Sequence, residues 1–135
     1  MIRQISSGEI LNELEGHTDR VTSLAFAADG QTLASGSFDS VRLWRVADGA
    51  SLSALQGDTT SVRSMAFAPD GETLAAGSFN SIRLWRVADG ALLNTLVGHT
   101  HFVDAVAFSE DGELLASGSF DGTVRLWGVE DGENN

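Results

Sequence analysis

Apolar and polar residues alternate, apart from a Leu-Trp pair, in three short runs, Val41-Arg42-Leu43-Trp44-Arg45-Val46, Ile82-Arg83-Leu84-Trp85-Arg86-Val87 and Val124-Arg125-Leu126-Trp127-Gly128-Val129. A period of two rich in β-branched and aromatic residues predicts strands with one buried face. Three further strands are predicted in the first unit, over Val21 to Ala27, Thr32 to Ser37 and Ser51 to Leu55. Asp29-Gly30 and Asp48-Gly49 separate them, and Asp70-Gly71, Asp89-Gly90, Asp111-Gly112 and Asp131-Gly132 recur later. Asp followed by Gly suits tight reversals, because the second residue enters positive φ at no steric cost. The single proline, Pro69, falls in one of these turns. No window holds a 3.6-residue apolar period, so essentially no helix is predicted.

The alternation is itself repeated. Trp44, Trp85 and Trp127 lie 41 and 42 residues apart. Four short antiparallel strands in about 40 residues are the content of one propeller blade. Gly16-His17, Gly98-His99, Phe67-Ala68-Pro69-Asp70-Gly71, and Leu-Ala-Ser-Gly-Ser ahead of an Asp and a Trp resemble the WD-repeat β-propeller family over nearly the whole chain. The Trp-Asp pair of that family is absent, since Arg45, Arg86 and Gly128 follow the tryptophans. The predicted fold is all-β, with three blades of four antiparallel strands. Repeat 1 spans 16–56, repeat 2 spans 57–97, and repeat 3 spans 98–135 without a fourth strand. Residues 8–15 align with 90–97, a fourth strand out of phase with its own blade.

Three blades closing alone would each subtend about 120°, outside the range of roughly four to eight blades in a ring. The ring is therefore expected to close by homo-oligomerisation, head to tail, with residues 8–15 completing the last blade of another copy. A homotrimer of nine blades is preferred to a homodimer of six, because opening a ring widens a wet channel whereas tightening it crowds the innermost strands.

The formal charge is −11, and all eight basic residues are arginine. That surface disfavours nucleic acid, whose binding rests on cations displacing counterions from phosphates. No apolar run approaches the roughly 20 residues of a membrane helix. Glu9, Glu13 and Glu15 interrupt any signal-peptide pattern, so no membrane partner is expected and a cytoplasmic location is the default. With no cysteine, no disulfide or thiol chemistry is proposed. There is no phosphate-binding loop, dinucleotide glycine motif or paired catalytic carboxylate, so no cofactor is expected.

His, Ser and Asp recur with the tryptophans and invite a hydrolase reading. No Gly-x-Ser-x-Gly elbow is present, however, and Ser35 falls within an alternating strand. The family resemblance implies instead two structural tetrads, His17, Ser35, Asp39 and Trp44 in the first unit and His99, Ser117, Asp121 and Trp127 in the third. The middle unit replaces the polar members together, with Asp58, Ala76 and Asn80, and keeps Trp85. A polar network is favourable when complete and costly when half complete, so joint loss supports the structural role. The middle blade is accordingly expected to be the softest. His99-x-His101 is a weak metal signal without an acidic or Cys partner at ligand spacing. The protein is not expected to be an enzyme.

Binding is expected on the face carrying the turns between second and third strands. Phe38, Phe79 and Phe120 stand there, although turn propensity does not favour phenylalanine. The resemblance adds Arg20 and Thr22, Ser61 and Arg63, and Phe102 and Asp104 as partner-contacting positions. Two functions follow: a non-catalytic scaffold for a protein or peptide, or a self-assembling structural module with no other partner, whether natural fragment or engineered sequence.

Overall fold

A computed structural model of the chain describes residues 8–38, 40–55 and 61–128. The described residues hold eleven strands and no helix. Blade 1 comprises β1 (Val21–Phe26), β2 (Thr32–Ser37), β3 (Val41–Arg45) and β4 (Ser51–Leu55). Blade 2 comprises β5 (Ser64–Phe67), β6 (Thr73–Gly77), β7 (Ser81–Arg86) and β8 (Leu92–Val97). Blade 3 comprises β9 (Val103–Phe108), β10 (Leu114–Ser119) and β11 (Val124–Gly128). Each blade is an antiparallel meander in chain order, four strands in blades 1 and 2 and three described strands in blade 3.

The turns form as their chemistry requires. The carboxylates of Asp29, Asp48, Asp70, Asp89 and Asp111 each accept the amide two residues on, at 2.9 to 3.1 Å. The glycine inside each turn sits at φ 73 to 76°.

Blades cannot bury both sheet faces alone, and the apolar core lies between them. Val41, Leu43 and Leu55 of blade 1 pack with Val62, Met65 and Trp85 of blade 2. One step along the chain, Ile82 and Leu84 of blade 2 pack with Val103 and Leu115 of blade 3, flanked by Phe108 and Trp127. The same repeat positions build both cores. β5 lies beside both β1 and β9, so the first strands of the blades adjoin. At the two junctions the backbone approaches closely: a Cβ on Gly36 would lie 2.6 Å from Val62 Cγ1, and one on Gly77 2.8 Å from Val103 Cγ1. Only glycine fits there without displacing the neighbouring blade.

Candidate functional site

The tetrad in blade 3 is a continuous chain of hydrogen bonds. Ser117 faces Val106 on β9 and Arg125 on β11, which sets its hydroxyl beside both the incoming loop and the indole. Trp127 Nε1 donates to Ser117 Oγ at 2.9 Å, and Ser117 Oγ pairs with His99 Nε2 at 2.7 Å. His99 Nδ1 lies 2.9 Å from Asp121 Oδ2, with the His99 side chain 1% and the Asp121 side chain 10% exposed. Asp121 also accepts the Thr123 hydroxyl and the amides of Thr100 and Thr123. The Thr123 hydroxyl and the Thr100 amide, followed by the His99 contact, hold the Asp121 carboxyl well below the usual carboxylate range.

Blade 1 shows the inner part of the same chain. Trp44 Nε1 donates to Ser35 Oγ at 2.8 Å, and Ser35 Oγ meets His17 Nε2 at 2.6 Å. His17 Nδ1 pairs with Ser40 Oγ at 3.3 Å. Asp39, the fourth expected member, lies outside the described residues. In blade 2, Ala76 and Trp85 are buried at 2% and 0% exposure and belong to the core, while Asn80 is exposed. Asp58 also lies outside the described residues. Neither serine stands in a nucleophilic setting: each residue is 4% exposed or less and its hydroxyl already engages an imidazole and an indole.

Part of the expected partner face converges. Phe79 meets Phe102 edge-on with centroids 5.1 Å apart, and Phe120 meets Phe102 at 6.4 Å. The Arg63 guanidinium lies 4.3 Å from the Phe102 centroid and reaches Asp104 at 3.2 Å. His101 fills the gap, 5.2 Å from Phe120 and 5.5 Å from Phe79. Phe38 pairs with Arg20 at 5.4 Å, as a separate cation–π contact. Phe38, Phe79 and Phe120 keep 38%, 45% and 64% of their surface exposed, so each ring leans on a neighbour without being covered. Thr22 is committed differently, since its hydroxyl is directed at the carbonyls of Gly36 and Val62, across the first junction. Ser61 is half-buried at φ 59°, a left-handed conformation that is uncommon for serine.

Sequence reasoning missed two participants. In the sequence His101 reads only as a metal ligand, and among the described residues no group of three His, Cys, Asp or Glu is placed to hold a metal. Thr123 was not singled out, yet it buttresses Asp121. Its signal was present: the third unit is one residue longer, and the Asp121-Gly122-Thr123 turn, with Gly122 at φ 90°, absorbs the extra residue.

Blades of this topology, with a Trp-Ser-His chain in the first and third, define a β-propeller protein. The WD domain, G-beta repeat family matches residues 8–45, 49–86 and 90–128, and the chain belongs to it. The solved structure of the RRP9 WD40 repeats superposes with a TM-score of 0.82 at 31% identity, over 86% of this chain and 37% of that one. The structure of U3-55K gives the same score and identity over 86% and 38%. The periodic tryptophan protein 2 homolog of Neurospora crassa is 44% identical over 46 residues, 33% of this chain and 5% of that protein. The homolog of Schizosaccharomyces pombe is 44% identical over 43 residues, 31% of this chain and again 5% of that protein. The chain thus spans a small part of these relatives. No helix among the described residues is long and apolar enough to cross a membrane.

Proposed function

We propose that this chain is a non-catalytic scaffold that binds a protein or peptide through the aromatic and arginine face of blades 2 and 3. The observation that carries the reading is the cluster of Phe79, Phe102, Phe120 and His101 with Arg63 stacked 4.3 Å from Phe102. Aromatic and arginine side chains dominate interface hot spots, because they bury large areas at modest entropic cost. With blades 2 and 3 supplying the centre, Phe38 and Arg20 extend the face along blade 1. The test is a peptide-display selection on the parent, followed by binding of the selected peptides to Phe38→Ser/Phe79→Ser/Phe120→Ser. Loss of at least about tenfold in affinity, or 1.4 kcal/mol, is expected. Equal binding to the triple variant overturns the assignment of this face.

The scaffold is a ring of identical chains joined head to tail, three copies with nine blades in preference to two with six. Residues 8–15 of one copy serve as the fourth strand of another copy's blade 3. Three observations support this. The first family match opens at Gly8, as the others open at Gly49 and Gly90 just ahead of β4 and β8. Within a single chain, residues 8–15 form no strand, and Ile10 and Leu11 stay 72% and 84% exposed. In the described sheet of blade 3, β11 is an edge, and edges invite pairing. A ring with no partner beyond itself is the second reading, favoured by the close similarity of the repeats. A display selection that enriches no peptide on the parent would select it.

A further inference from the structure

The two junctions inside the chain are copies of one another, and the residues for a third are present but divided between blades 1 and 3. Val62 seats on Gly36 and Val103 on Gly77, and both valines are buried at 1% exposure or less. The Val62 amide donates to the Ser37 carbonyl, and the Val103 amide to the Ser78 carbonyl at 2.8 Å. The repeat places Val21 in the valine position, yet Val21 is 50% exposed. It places Gly118 in the glycine position, yet a Cβ there would meet nothing nearer than Ala105 Cβ at 4.0 Å. The flanking apolar residues divide the same way. Val41 and Leu43, like Ile82 and Leu84, are covered by the next blade to 8% exposure or less, whereas Val124 and Leu126 of blade 3 stand 76% and 69% exposed. On the opposite side, Leu24 and Phe26 of blade 1 are 63% and 65% exposed, although Met65, at the position of Leu24, is buried at 9%.

We infer that blade 1 of one copy packs on blade 3 of another in the register of the internal junctions, with Val21 seated over Gly118 and Leu24 and Phe26 covering Val124 and Leu126. This rests on the ring of identical chains proposed above and specifies its interface. The occupant is a second copy because each exposed residue on one side has its partner position exposed on the other. Leu14 of the incoming copy occupies the repeat position of Leu55 and Leu96, so one copy supplies both the strand and the covering blade.

The new junction differs from the internal ones in one respect. Ser64 Oγ donates to the Val103 carbonyl at 3.2 Å, and Thr22 Oγ1 is directed at that of Val62, which ties each blade to the next. Blade 3 carries Asp104 and Ala105 at these two positions, and Asp104 is engaged by Arg63. The junction between copies therefore lacks a side-chain clamp, which weakens it relative to the internal ones.

The experiment is light scattering of the 135-residue chain over a concentration series, for the parent, Gly118→Ala and Ala105→Ser, with near-ultraviolet circular dichroism to report on the tryptophan environments. The parent is expected at three times the 14.2 kDa chain mass, dissociating on dilution. In Gly118→Ala the added methyl meets open space within the chain but collides with Val21 of the neighbour, so the spectrum is retained and assembly weakens by at least about tenfold. Ala105→Ser, which restores one hydrogen bond, tightens assembly roughly 2- to 10-fold. A parent that stays at 14.2 kDa at every concentration overturns the ring of identical chains and this interface with it. A parent that assembles while both variants assemble equally well leaves the ring standing and overturns the junction. Should Gly118→Ala lose its fold, Ala105→Ser alone decides.

Discussion

Blades 2 and 3 are held together by different means. Blade 3 has the complete hydrogen-bond chain from Trp127 to Asp121, yet Val124 and Leu126 on one of its faces are bare in the single chain. Blade 2 lacks the serine of that chain but is packed on both faces, with Met65, Leu74, Ile82, Leu84 and Trp85 all at 9% exposure or less. Full burial of one large aliphatic side chain contributes about 1.5 to 3 kcal/mol, against about 0.5 to 1.5 for a typical net hydrogen bond. In the isolated chain, packing therefore outweighs the polar lock, and blade 2 is the firmer. The softness expected of the middle blade from its sequence would apply to the proposed ring, in which every blade would be packed on both faces and only the locks would differ.

The largest expected effect comes from removing a packed side chain on one blade and its repeat counterpart on the other. Ile82→Ala should cost about 2 to 5 kcal/mol in urea unfolding, because Ile82 is fully buried. Val124→Ala, at 76% exposure, should cost the single chain less than about 0.5 kcal/mol. Equal losses would contradict the account of covered and open faces. Next in size is Ser117→Ala, which strips Trp127 and His99 of their shared partner and should lower blade 3 stability by about 1 to 3 kcal/mol. The counterpart change in blade 2 is a gain. Asp58→His, Ala76→Ser and Asn80→Asp together should stabilise that blade by about 1 to 3 kcal/mol, whereas Ala76→Ser alone should destabilise, since it buries a hydroxyl in an apolar core.

The smallest effect is set by pH. The folded-state pKa of Asp121 is depressed below 3.8, so its contribution is fully present above that value. As pH falls from there toward the lower folded-state pKa, the contribution is lost. The stability deficit of Asp121→Asn relative to the parent, followed at Trp127, should be constant above about pH 4 and shrink as pH falls below it, because the parent carboxylate is then protonated as well. A deficit that does not change with pH would show that the Asp121 carboxylate does not couple to the fold.

Much of this architecture was legible along the chain because it is local. Thr32–Ser37 and Ser51–Leu55 match the predicted strands at both ends, and the first strand ends one residue early, at Phe26. Alternation fixes a strand, and Asp-Gly fixes its reversal, within a few residues of each other. Contacts between residues about 40 apart were less legible. The glycine seats at Gly36 and Gly77 look like ordinary strand glycines until the next blade's valine is in place. The phenylalanine turns were legible as a set, but their convergence on Arg63 and His101 required the angle between blades. Thr22 is exposed, but nothing local in the sequence shows its hydroxyl turning toward the Val62 carbonyl.

The contrast between covered and open faces is tested most directly by amide hydrogen exchange resolved strand by strand, at concentrations below and above assembly. Protection of β6 and β7 should be the same at both, since their neighbours belong to the same chain. Protection of β1, β11 and residues 8–15 should rise with concentration in step with the assembled fraction. Exchange in β1 and β11 that does not change while the chain assembles would contradict the account.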